Sequence, residues 1–72
     1  MENQELINLG SRIKYFRSIL NISQEKLAFQ CELDRTYISL LERGKRNPSL
    51  INLLKVSKGL NISLSKLVSS MH

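Results

Sequence analysis

Residues 24–42 read QEKLAFQCELDRTYISLLE and contain the pattern that decides the fold. Apolar residues recur at three- and four-residue spacings on both sides of a break at residues 32–34, which predicts two short helices. Ser23 and Asp34 precede these helices, and their side chains can accept hydrogen bonds from first-turn backbone amides. The connection is so short that the two helix axes must meet at a sharp angle.

The predicted helix after Asp34 has an unusual outward face. At about 100° per residue, Ile38 and Leu41 point to one side and should face the core. The opposite side contains Thr36, Leu40 and Arg43, with Arg35 and Ser39 at its edge. A face that only meets water would more often contain Glu/Lys pairs four residues apart. The composition therefore indicates a surface that contacts a partner.

Helical spacing and capping residues predict three further helices, so the expected fold class is all-α with five helices. The first has an apolar stripe of Leu6, Leu9, Ile13, Phe16 and Leu20, and the third should end at a left-handed Gly44. Ser49 should cap a fourth helix that points Leu50, Leu53, Leu54 and Ser57 inward. A fifth helix should run over residues 64–69.

The tetrapeptide LNIS occurs twice, at residues 20–23 and 60–63. The flanking residues do not match at a fixed period, so an internal repeat is not indicated. In both copies we expect Asn to end one helix in the left-handed conformation and Ser to cap the next.

Positive charge is concentrated in part of the chain. The formal net charge is +5, and most of the Lys and Arg residues lie between positions 12 and 46. One interpretation is a polyanionic partner such as nucleic acid. The other is a charge that serves solubility alone.

The sequence offers little for catalysis or metal binding. One Cys and one terminal His cannot form an internal disulfide or a zinc site. No glycine-rich phosphate loop or suitably placed carboxylate pair is present, so we expect no enzyme and no cofactor. Cys31 fits a small apolar core residue, with a reactive thiol as the alternative. Phe16 and Phe29 are also expected in the core.

The N-terminal stretch MENQELINLG lacks the basic start and the apolar run of a signal peptide. No apolar run in the chain exceeds three residues, so no segment is expected to span a membrane. We expect one small domain over residues 1–72, located in a reducing cytoplasm.

Residues 24–42 resemble the helix-turn-helix of the phage repressor and Cro family, and GKRNPS at 44–49 resembles that family's exit from the recognition helix. The resemblance extends from about residue 9 to residue 68. The stretch LDRTYIS, followed by ER and RN, further resembles the controller proteins of bacterial restriction–modification systems. The resemblance implies a compact five-helix repressor-like DNA-binding domain, with the helix-turn-helix at helices two and three. It also implies a homodimeric transcriptional regulator of its own operon.

In this motif the second helix lies in the DNA major groove, so the outward face acquires specific roles. Arg35 and Thr36 are expected to meet base edges, Ser39 a base or a phosphate, and Leu40 a thymine methyl group. Arg35 and Thr36 could alternatively be ordinary helix-start residues. Leu40 could instead pack against the fourth helix.

The resemblance also assigns residues around the recognition helix. Arg43, Lys45 and Arg46 are expected to hold phosphates, with a position deeper in a groove as the alternative for Arg46. Tyr37 could reach the DNA backbone or be a partly buried core aromatic. Gln24 could contact a phosphate or buttress the recognition helix.

Two positions have structural expectations that follow from the resemblance. The family pairs an Arg with a Glu at the positions of Arg17 and Glu42, which predicts an ion pair inside the domain. The family usually has Gly at the turn position of Glu32. If Glu32 is left-handed, its side chain costs roughly 1 kcal/mol of strain.

Several apolar residues lack an obvious internal partner and are assigned to a dimer interface: Ile51, Leu60, Leu64, Val68 and Met71. Two-fold symmetry would match a palindromic double-stranded DNA operator. No small-molecule ligand is expected. The alternative functions are a phage-type repressor, an antitoxin-like regulator and a protein-interaction adaptor.

Overall fold

The computed structural model describes residues 3–69, which fold into helices without a β-strand. The helices are α1 (Gln4–Leu20), α2 (Gln24–Cys31), α3 (Arg35–Glu42), α4 (Leu50–Gly59) and α5 (Leu64–Val68). The predicted all-α fold with five helices is confirmed, and α5 ends one residue earlier than expected. Within these residues no helix is long and apolar enough to cross a membrane.

The predicted capping residues fix the helix ends. The side chains of Ser23, Asp34, Ser49 and Ser63 accept hydrogen bonds of 3.0–3.1 Å from first-turn backbone amides. Asn21 and Asn61 are left-handed, with φ of 55° and 60°. Both LNIS segments therefore end one helix and start the next, as expected from their residue types.

The core is formed where α3 lies against α1 and α2, α4 against α2, and α5 against α1 and α4. Its buried apolar side chains are Leu9, Ile13, Phe16, Leu27, Ala28, Cys31, Ile38, Leu41, Val56, Leu60 and Leu67. Burial raises the pKa of the Cys31 thiol to about 11, so the thiolate is scarce at neutral pH. Cys31 is thus the core residue that the sequence favoured.

Several apolar positions were predicted on the wrong side of their helices. Phe29 is 78% exposed, because the buried side of α2 is set by Leu27, Ala28 and Cys31 and Phe29 projects from the opposite side. Leu50 and Leu54 are also exposed, since α4 packs through Val56, Ser57 and Leu60. Leu20, at the end of the predicted α1 stripe, is exposed as well.

Glu32 is left-handed, with φ of 59°, at the position where the family usually has Gly. Replacement by Gly removes the clash of Cβ with the backbone, although Gly is also more flexible in the unfolded chain. We expect Glu32→Gly to raise the free energy of unfolding by about 0.5–1 kcal/mol, measured by urea denaturation. Glu32→Ala is the matched control, because it removes the charge but keeps Cβ. Equal stabilisation by both variants would contradict the strain.

Candidate nucleic-acid interface

The third helix presents one buried and one accessible side. Ile38 and Leu41 are fully enclosed by the neighbouring helices. Arg35 and Thr36 are exposed at the start of α3, while Ser39 is half-buried. Leu40 is also half-buried, but among residues 3–69 it is not one of the apolar side chains that pack against the core. The structure therefore places these predicted contact residues together on the outward side of the helix.

A partly buried ion pair connects the end of α3 to α1. Arg17 Nε lies 2.6 Å from Glu42 Oε2, and Arg17 Nη2 donates to Glu42 Oε1 at 3.0 Å. The hydrogen bond to Glu42 raises the pKa of Arg17 further above its ordinary value, against the opposing effect of burial. Arg17 Nη1 also donates to the carbonyl of Ile22 at 2.8 Å. The predicted Arg17–Glu42 pair is confirmed.

Gln24 takes the buttressing position of its two predicted alternatives. Its Nε2 donates to Glu42 Oε1 at 3.1 Å, so one carboxylate joins the start of α2, the last turn of α1 and the end of α3. Such a shared acceptor restricts the angle at which α3 projects from the protein. The orientation of the outward face is consequently set by side chains behind it.

Tyr37 links α3 to the segment that follows it. Its hydroxyl accepts a hydrogen bond of 3.1 Å from Asn52 Nδ2 on α4, and its ring packs partly against the core. The guanidinium carbon of Arg46 lies 4.9 Å from the centre of the same ring. Tyr37 is therefore a partly buried aromatic that also positions Arg46. Asn52 could not be predicted from the sequence, because a single Asn in a helix has no distinctive pattern.

The basic segment lies directly after α3. Gly44 is left-handed, with φ of 71°, and turns the chain sharply past Ile7 of α1. Arg43, Lys45 and Arg46 are exposed around this turn. Arg43 Nε donates to the Ser39 carbonyl at 3.4 Å. Cationic groups thus border the outward side of α3 at its C-terminal end.

The residues assigned to a dimer interface fall into different environments. Ile51 and Val68 are exposed, whereas Leu64 is half-buried against the core. Leu60 is 2% exposed and belongs to the core of this same chain, so its assignment to the surface was wrong. Leu60 keeps a helical conformation at the end of α4 and lies one turn after buried Val56, so both side chains point inward. Met71 lies outside the described residues.

The helix-turn-helix family matches residues 13–67, which include all of α2, α3 and α4. The chain belongs to the helix-turn-helix family. Among sequence relatives, it is 49% identical to the control protein C.MunI of Mycoplasma sp. over 70 residues, covering 96% of this chain and 95% of that protein.

Two solved structures of controller proteins are similar to this structure over most of the chain. The restriction–modification controller protein C.AhdI from Aeromonas hydrophila is 42% identical, with a TM-score of 0.88 over 90% of this chain and 98% of that chain. The controller protein C.Esp1396I, solved as a tetramer in complex with its natural 35 base-pair operator, is 36% identical. Its TM-score is 0.89 over 97% of this chain and 92% of that chain.

Proposed function

We propose that this protein is a sequence-specific DNA-binding transcriptional regulator, the controller protein of a restriction–modification system. The observation on which this rests is the outward side of α3, where exposed Arg35 and Thr36 are followed by an exposed basic turn. C.MunI is a control protein, and the controller protein C.Esp1396I was solved in complex with its operator. Such a regulator works where bacterial DNA is, in the cytoplasm.

The two groups of cations have different tasks in this proposal. Arg35 lies in the first turn of α3, where a guanidinium can donate two hydrogen bonds to O6 and N7 of guanine. Arg43 and Arg46 follow the end of α3, where they meet phosphates that are the same in every sequence. The protein therefore recognises bases with the start of α3 and gains affinity for DNA of any sequence from the basic segment that follows α3.

The test compares Arg35→Gln with Arg43→Gln, which remove the same charge at the two ends of α3. Each variant is titrated against a duplex selected by the wild type and against its scrambled counterpart, at several salt concentrations. Arg35→Gln should reduce the preference for the selected duplex by about 1–3 kcal/mol. Arg43→Gln should weaken binding to both duplexes and lower the salt slope by about one unit.

Two results would contradict this assignment. If Arg35→Gln weakens binding to both duplexes in equal proportion, the start of α3 contacts the DNA backbone and does not recognise bases. If the wild type shows no salt-dependent binding to any duplex, the fold serves as a protein-interaction adaptor. A binding site beside phage lysogeny genes, rather than methyltransferase and endonuclease genes, would favour the phage-type repressor.

We further propose that the protein binds a palindromic operator as a homodimer. The solvent side of α4 is apolar, with Leu50 and Ile51 63% and 62% exposed and Leu54 beside them. Val68 adds an exposed apolar group on α5. An apolar helix face of this kind is stabilised by burial against a second copy, and α3 must remain outside that contact to reach DNA. Leu50 and Leu54 were not predicted at this surface, because their spacing in the sequence indicated the core.

A further inference from the structure

An arginine of α1 is bound to the end of α5. Arg12 Nε donates to the carbonyl of Leu67 at 2.5 Å, and its Nη2 donates to the carbonyl of Lys66 at 2.8 Å. The guanidinium carbon lies 5.4 Å from the centre of the Phe16 ring, which supports it from the α1 side. The group is thus held at three points between two helices that are distant in sequence.

The two carbonyls that Arg12 binds lie at the C-terminal end of α5. The last carbonyls of a helix have no partner within the helix and form the negative end of its dipole. α5 has five residues, which is too short for a helix to persist without tertiary contacts. Leu67 anchors it in the core, and Arg12 supplies a positive charge and two donors at its C-terminal end.

We propose that Arg12 is a positioning residue for self-association: it fixes α5 in the orientation that presents Val68 to a second copy. This inference rests on the proposed homodimer. Arg12 belongs to the basic segment that suggested a polyanionic partner, but its guanidinium is occupied by backbone carbonyls. Its contribution to operator binding therefore passes through the dimer and not through a phosphate.

The experiment uses the full chain with Arg12→Gln, Arg12→Lys and Lys14→Gln. Lys14 is exposed on the same helix, so Lys14→Gln is the matched control for loss of charge. Sedimentation equilibrium measures the dimer dissociation constant, and hydrogen exchange measures the protection of α5 and α3 amides. Leu54→Glu is included as a variant in which the proposed α4 contact is broken.

We expect Arg12→Gln to raise the dimer dissociation constant about tenfold, because two charge-assisted hydrogen bonds are lost. Arg12→Lys should fall between this variant and the wild type, since a single ammonium keeps the charge without the two-point geometry. Lys14→Gln should leave the constant unchanged. Amide exchange should accelerate in α5 and remain unchanged in α3.

The outcomes separate this inference from the proposed function. If the wild type dimerises and Arg12→Gln dimerises with the same dissociation constant, the proposed role of Arg12 is overturned. The proposed homodimer would then still stand. Equal loss of protection in α5 and α3 with unchanged dimerisation would mean a merely structural residue, which also overturns it. A wild type that stays monomeric at high micromolar concentration would remove the proposed homodimer and this inference with it. Binding of the scrambled duplex is also measured at concentrations where Arg12→Gln is dimeric. If the salt slope of Arg12→Gln is lower than that of the wild type, Arg12 contacts a phosphate, which overturns the inference.

Discussion

Glu42→Ala is expected to lower the free energy of unfolding by about 3 kcal/mol, which is a large part of the stability of so small a protein. The side chain of Glu42 is 3% exposed and that of Arg17 is 16% exposed. Removal of the carboxylate leaves the Arg17 guanidinium partly buried without its counter-charge, and Gln24 loses its acceptor as well. The measurement is chemical denaturation at fixed protein concentration.

The control for this variant is Glu25→Ala, which removes an exposed carboxylate from the first turn of α2 and should change stability much less. Arg17 has a raised pKa in the folded protein, so its stabilising contribution is complete at neutral pH. That contribution would be lost only as the pH rises through the folded-state pKa, above the working range. An unchanged free energy of unfolding for Glu42→Ala would show that the pair is not structural.

Gly10→Ala is expected to destabilise the protein by about 2–3 kcal/mol through a clash between helices. A Cβ atom at Gly10 would collide with the carbonyl oxygen of Leu41 and would lie 2.7 Å from that of Glu42. Both atoms belong to the backbone of α3, which cannot rotate away as a side chain could. α1 and α3 would have to separate, and this movement also strains the Arg17–Glu42 pair.

Thermal and urea denaturation of Gly10→Ala, with Ser11→Ala as the control, test this close approach. Ser11 is exposed on α1, so its replacement should leave stability nearly unchanged. If α3 shifts in the folded variant, operator affinity should fall even where the protein is fully folded. A Gly10→Ala variant as stable as the wild type would contradict the separation of α1 and α3, since Ala otherwise favours a helix.

The sequence by itself determined where the helices begin and end. Ser23, Asp34, Ser49 and Ser63 act on backbone amides two or three residues away, so their effect is local and readable from residue type. The left-handed Asn21 and Asn61 are local in the same sense. Helical spacing also located the outward side of α3, including Arg35 and Thr36. The family resemblance added the Arg17–Glu42 pair and the expected role of that side.

Only the tertiary structure decided which side of each short helix is buried and which long-range partner each polar group takes. Phe29 and Leu54 have the character of core residues, but α2 and α4 pack against their neighbours through other sides and leave both exposed. Leu60 was placed on the surface and is buried, because it lies one turn after Val56 on the side of α4 that packs into the core. Arg12 carries an ordinary surface charge in the sequence, yet it binds carbonyls on α5. The physical reason is that helix spacing fixes the relative directions of side chains, whereas the packing of five helices fixes which direction is inside.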